Sequence, residues 1–160
     1  MKIHHFSTGL YLIITLFQAP IAWADIHIDG LFSDHMVLQQ QSSVAVWGKA
    51  DPGEQVSVSG SWNPSEAVST QTDASGKWRN TLQTPKAGGP YEVIITGKNR
   101  VIIKDVLIGE VWICSGQSNM AWPLINTQEG KKDVAEATFP QIRLLNVPRK
   151  PAREPIDSIS

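Results

Sequence analysis

The sequence predicts a β-sandwich amino-terminal domain followed by the beginning of an α/β domain, on three observations. Between residues 25 and 104, short β-rich runs recur between clusters of turn-forming residues, a pattern of many short strands. At residues 101–106 the composition changes, and the stretch 106–114 is apolar with little alternation, as a strand buried on both faces of a parallel sheet is. That stretch stops at Gly116, Gln117, Ser118, Asn119 and Met120. A serine is thereby set at the carboxyl end of a strand, where open α/β sheets gather their ligands.

The first 24 residues are expected to be a signal peptide rather than part of the fold. Lys2, with His4 and His5, gives a basic start; residues 10–17 form a compact apolar stretch; Ala22, Trp23 and Ala24 make an A-x-A cleavage site. The apolar stretch is short and is interrupted by Gln18 and Pro20, so no membrane span is expected once the leader is cleaved. Asp25 and not a cysteine directly follows the cleavage site, which argues against a lipid anchor. The expected location is secreted or periplasmic. The chain has one cysteine and cannot form an internal disulfide, so the exported fold must rest on its core. A formal net charge of −1 leaves no basic footprint for nucleic acid.

Residues 25–104 are read as the sandwich. Its strands are expected at 44–47, 55–59, 77–82 and 91–95, and its turns at 51–53, 73–76 and 88–90, each rich in Asp, Gly, Pro or Ser. Trp47 and Trp78 lie in strand-like runs and read as packing residues, whereas Trp62 sits in a turn-rich stretch that suits either packing or a carbohydrate platform. The domain boundary is placed near Asp105 without a flexible linker, so that 105–160 opens the second domain. Beyond Met120 an irregular segment is expected, then a short helix at 133–138 and a strand at 142–147. The tail from Pro148 holds three prolines and reads as loop, so the α/β domain is expected to be incomplete within these 160 residues.

Several ordered blocks carry a resemblance. Residues 106–124, with Gly116, Gln117, Ser118, Asn119 and Met120 at their centre, resemble the first block of the sialate O-acetylesterase family, SGNH-type carbohydrate esterases with a Gly-Gln-Ser-Asn block. Residues 31–39 resemble the amino terminus of the same family; so do Val46-Trp47-Gly48, Pro52-Gly53-Glu54 and the stretch 73–78. The resemblance covers nearly all of the chain after its leader. It implies that the second domain is an SGNH-hydrolase-like, flavodoxin-like α/β fold, with Ser118 as catalytic nucleophile and its own N–H as one oxyanion-hole donor. It also implies that a Gly and an Asn completing the hole, and an Asp-x-x-His supplying the base, lie beyond Ser160. The block differs from an α/β-hydrolase elbow, because Met120 stands where a second glycine is required.

The residue types suit ester hydrolysis. Attack on an acetyl ester needs a hydroxyl, a base to take its proton, and N–H donors at the developing oxyanion. Gly116 permits a tight turn, and Gln117 and Asn119 are candidates to lock it and support the hole. A serine in this place also suits an ordinary helix N-cap or turn. Cys114 reads as a small buried hydrophobe. No histidine follows Ser118; His27 and His35 lie in the amino-terminal segment, and His35 reads as a solvated loop residue. No cluster of His, Cys and carboxylates has metal-ligand spacing, and no cofactor is expected.

Two functions follow. One is a carboxylic ester hydrolase that removes O-acetyl groups from sugars through an acetyl-Ser118 intermediate; this chain supplies the nucleophile without the base and is expected to be inactive alone. The other is a non-catalytic β-sandwich module that binds glycans or another domain and carries a vestigial esterase stub. The partner in the first case is an O-acetylated carbohydrate, and nothing in the sequence sets an oligomeric state.

Overall fold

The computed structural model describes residues 25–147, 151, 153 and 154. The predicted leader at 1–24 and nearly all of the predicted loop from Pro148 lie outside the described residues.

Alternation of apolar and polar side chains builds the strands. In Lys77–Gln83, Trp78, Asn80 and Leu82 point inward while their neighbours face solvent, and Val56 and Val58 do the same in Gln55–Gly60. The described residues form eight strands: β1 (His27–Ile28), β2 (Val37–Gln39), β3 (Ser43–Lys49), β4 (Gln55–Gly60), β5 (Val68–Gln71), β6 (Lys77–Gln83), β7 (Gly88–Thr96) and β8 (Arg100–Gly109). A three-stranded sheet has the order β1-β3-β6, and a five-stranded sheet the order β2-β8-β7-β4-β5. The second sheet is mixed, because β2 runs parallel to β8 while its other neighbours pair antiparallel.

The core joins both sheets. Val46, Trp78 and Leu82 from the first meet Val56, Val58, Val93, Ile95, Ile103 and Val106 from the second in one cluster. Each such side chain is worth about 1.5–3 kcal/mol when fully buried. Polar bonds also cross: the buried Asn80 amide donates to the Val56 carbonyl at 3.1 Å, and Trp62 Nε1 donates to the Gln83 carbonyl at 3.0 Å. Trp62 stands edge-on to Tyr91 with centroids 5.6 Å apart, and Trp47 edge-on to Phe32 at 4.7 Å, so both are partly buried packing residues.

The turn at 73–76 is built from side-chain hydrogen bonding. Asp73 accepts from the Ser75 N–H at 2.8 Å, the Ser75 hydroxyl at 2.7 Å and the Lys77 N–H at 2.9 Å. Gly76 closes the turn at φ 76°, and a Cβ there would lie 2.3 Å from the Ala50 carbonyl oxygen.

Four features differ from the sequence expectation. Gly88, Gly89 and Pro90 belong to β7 rather than to a turn, accommodated by a register shift between Gly88 and Tyr91. The apolar stretch 106–114 divides: β8 ends at Gly109, and no strand is assigned from Glu110 to Gly116. Residues 142–147 form no strand, since no neighbouring strand offers them a ladder. The helix near 133–138 is α1 (Gly130–Glu136), which starts three residues earlier. It packs near a 3-10 turn at Leu124–Asn126, where Gly130 N–H donates to Thr127 O at 3.2 Å.

Candidate active site

The strip from Asp34 to Gln40 sets where the candidate site begins. It runs parallel beside β8, and its polar groups fasten that strand from Lys104 to its end. Asp34 accepts from the Lys104 N–H at 2.7 Å, His35 N–H donates to the Lys104 carbonyl at 3.0 Å, and Met36 O accepts from Leu107 N–H at 3.0 Å. At the strand's end Gln39 and Gln40 donate to the two oxygens of Glu110 at 2.9 and 2.7 Å, and Gln39 Oε1 accepts from Val111 N–H at 2.9 Å. These amide donors, Gln39 first and Gln40 second, hold the Glu110 carboxyl below its usual range. The chain therefore leaves the sheet in a fixed direction, seven residues before Gln117.

Beyond Val111 the chain has no regular structure until a 3-10 turn at Ser118–Ala121. Ser118 is the first residue of this turn and Gln117 its cap residue, so Ser118 is not the N-cap. The turn is closed by the main chain, with Met120 N–H donating to Gln117 O at 3.0 Å; Gln117 makes no side-chain cap bond. Gly116 is required by close approach, since a Cβ there would lie 2.5 Å from Met120 Cγ. Gly116, Gln117, Ser118 and Asn119 are all exposed.

A cleft of about 680 Å³ lies against this turn. Cys114, Ser115, Gly116 and Gln117 line one part, and Met120, Ala121, Asn146 and Val147 contribute the rest. Ser118 lies in sequence between two lining residues, Gln117 and Met120. Cys114 is exposed rather than buried, a correction that follows from β8 ending at Gly109: past that point no second layer covers the chain. A smaller hollow of about 300 Å³ is lined by Ser61, Pro90, Tyr91, Glu92 and Asp105.

His35 is mostly solvent-facing, as expected for a loop residue, but it is not free. Its Nδ1 lies 2.5 Å from Asp105 Oδ2, in a cluster that also includes Arg143, whose Nη2 is 3.0 Å from the same carboxylate. The sequence reading missed Asp105 and Arg143. The available signal was the charged pair Lys104-Asp105, which interrupts an apolar run and so demands polar partners. Among the described residues no group of three or more His, Cys, Asp or Glu side chains is placed to hold a metal ion, and no helix is long and apolar enough to cross a membrane.

Comparison with known proteins gives consistent likenesses. No protein-family model matches the chain. A mouse sialate O-acetylesterase is 30% identical over 162 residues, covering 95% of this chain and 30% of the relative. The human sialate O-acetylesterase is 29% identical over 164 residues, covering 92% of this chain and 31% of the relative. A crystal structure of a carbohydrate acetylesterase from Xanthomonas citri matches with a TM-score of 0.78 and 32% identity, over 85% of this chain and 31% of that one. The chain thus spans about three tenths of the length of the relatives it matches.

Proposed function

We propose, from the premise that the chain belongs to a sialate O-acetylesterase-like family, that it carries the nucleophile turn of a serine esterase acting on O-acetylated sugars. Residues 25–104 then form a β-sandwich domain, and 105–160 open an SGNH-type α/β domain whose residues 105–109 are shared with the sandwich's sheet. The leader at 1–24 directs export to the periplasm or beyond.

In this reading Ser118 Oγ attacks the acetyl carbonyl carbon as a base takes its proton. The oxyanion forms against N–H donors, with the Ser118 N–H among them and Gly116, Gln117 and Asn119 shaping the turn. The sugar alkoxide leaves with a proton, and water then attacks acetyl-Ser118 to release acetate and restore the hydroxyl. No histidine follows Ser118 among these 160 residues, and the base is assigned to none of them. The observation that carries the reading is a likeness to acetylesterases that spans nearly the whole chain, Gly116 to Met120 included, where those residues form an exposed turn at a cleft.

The test is acetate release from O-acetylated sugars by the polypeptide that the gene encodes, with Ser118→Ala beside it. The expected result is turnover that the substitution lowers at least about a thousandfold, the scale of losing a serine nucleophile. Turnover retained in Ser118→Ala overturns the assignment.

A second reading rests on a separate observation. Every buried hydrophobic residue among the described residues falls between Ile26 and Ile108, so the packed unit ends before the nucleophile turn. A non-catalytic sandwich module that binds glycans has this property. Saturable glycan binding without acetate release, unchanged in Ser118→Ala, would favour it.

A further inference from the structure

β8 contains an irregularity whose consequence reaches the cleft. Tyr91 faces Val106 and Val93 faces Ile103, so two steps along β7 match three along β8. The additional residue is a bulge at Lys104 and Asp105. It lets both Ile103 and Val106 point into the core, which strict alternation forbids. It also places Asp105 at φ 53°, a left-handed conformation uncommon for residues other than glycine, though Asp is among those that tolerate it. Strained positions inside a strand persist where the surroundings fix them.

Two distant parts of the chain converge on that residue. His35 Nδ1 reaches Asp105 Oδ2 at 2.5 Å across 70 positions of sequence. Since an ionised carboxylate only accepts, the Nδ1 carries the proton. From the other side Arg143 donates through Nη1 to the Asp105 main-chain oxygen and through Nη2 to Oδ1 at 3.0 Å. A guanidinium bonded at two points fixes direction as well as distance. Arg143 is also half-buried, unlike the residues around it: Ile142, Leu144 and Leu145 are all exposed. Three and four residues after Arg143, Asn146 and Val147 line the same cleft as Cys114, Ser115, Gly116 and Gln117.

We propose that Asp105, with His35 and Arg143, is a clasp that sets the cleft's width by holding segment 142–147 across from the nucleophile turn. Asp105 and Arg143 are positioning residues, acting through Asn146 and Val147. The role of Ser118 rests on the proposed esterase reading, but the clasp is read without turnover, so the two fail separately. The groups facing Asp105 are His35 and Arg143, with Glu92 and Tyr91 across the smaller hollow; Asp34 and Lys104 lie beside it in the chain. His35 first and Arg143 second hold the Asp105 carboxyl below its usual range. The clasp is therefore closed above the ordinary Asp value of 3.8 and opens as pH falls below it, through the lowered value.

The test uses the single native cysteine, which lies in the cleft outside the clasp. A nitroxide on Cys114 broadens the amide NMR signals of residues held near it. In the wild type, Asn146 and Val147 are expected to be broadened at neutral pH and to sharpen on acidification below the ordinary Asp value. Asp105→Asn tolerates the same backbone conformation while removing the charge. It should abolish the neutral-pH broadening and leave β8 amides in place. Arg143→Gln changes nothing in the strands, so it guards against misfolding, and it should also abolish the broadening. Broadening of Asn146 and Val147 that survives in Arg143→Gln overturns the clasp, whatever Asp105→Asn does.

Discussion

Residues 25–110 and 111–147 carry comparable apolar runs and use them in opposite ways. In the first region the core residues from Ile26 to Ile108 are buried between two sheets, and Val68 is its one large hydrophobic on the exposed side. In the second, Trp112, Ile113, Trp122, Phe139, Leu144 and others face solvent, and Gly130 is the one buried residue. The difference is a missing layer. An apolar strand face is buried only against another element, and the first region supplies two sheets to each other while the second supplies none. What fastens 111–147 to the rest is polar: the Gln39 amide oxygen accepting from Val111 N–H, and Arg143 on Asp105. The comparison teaches that hydropathy shows what wants to be buried, and topology decides what is.

The strongest way to sharpen the contrast is to open a cavity in the first region. Ile95 is fully buried on β7, between β4 and β8. Ile95→Ala should lower unfolding free energy by about 2–5 kcal/mol, through lost transfer energy and the void left behind. Chemical denaturation monitored by the far-ultraviolet signal of the sheets checks it. A loss under about 1 kcal/mol would mean that the two sheets are not sealed against each other.

Next in size is Gly76→Ala, where the turn rather than the core is tested. The new Cβ would meet the Ala50 oxygen at 2.3 Å in a left-handed conformation, an expected cost of about 1–3 kcal/mol. The same denaturation measurement reads it, and a neutral outcome would show that the turn moves freely.

Acid acts on both regions and separates them. Asp73 is held below its usual range first by the Ser75 hydroxyl and then by the Lys77 N–H. A carboxyl lowered by folding stabilises the fold above its ordinary value, 3.8 here, and the contribution disappears as pH falls below that through the lowered one. The melting temperature of the sheets should therefore fall in that window, and Asp73→Asn should flatten the fall. Asp105→Asn should flatten it less, because Asp105 divides its bonds between the exposed His35 and segment 142–147. A melting profile equally flattened by both substitutions would join the two regions into one cooperative unit.

How far the sequence reveals this depends on the same distinction. β3, β4, β6 and most of β7 are legible because one face is apolar, and alternation at period two marks it. β1 and β2 are two and three residues long, and β5 is largely exposed polar sequence, so none contains enough pattern to read. The stretch 106–114 misleads because nothing in its hydropathy says that pairing ends at Gly109. Near the site, the block around Ser118 is recognisable by resemblance, whereas Asp105 and Arg143 lie 38 residues apart and meet only because a bulge turns one toward the other.

The smallest expected effect tests the second region directly. Leu144 is 94% exposed, so Leu144→Ala removes a side chain that has little to lose on unfolding. Its effect on unfolding free energy should stay within about 0.5 kcal/mol, the range of an ordinary surface change. A dye that fluoresces on exposed apolar surface should nonetheless bind less, because Leu144 belongs to a row with Ile142 and Leu145 that stands in water. The two readouts together carry the argument, since stability reports burial and dye binding reports exposure. A destabilisation above about 1 kcal/mol would place Leu144 under cover in solution. If that destabilisation grew with protein concentration, the cover would be a second copy of the chain, and the contrast between the two regions would belong to the monomer alone.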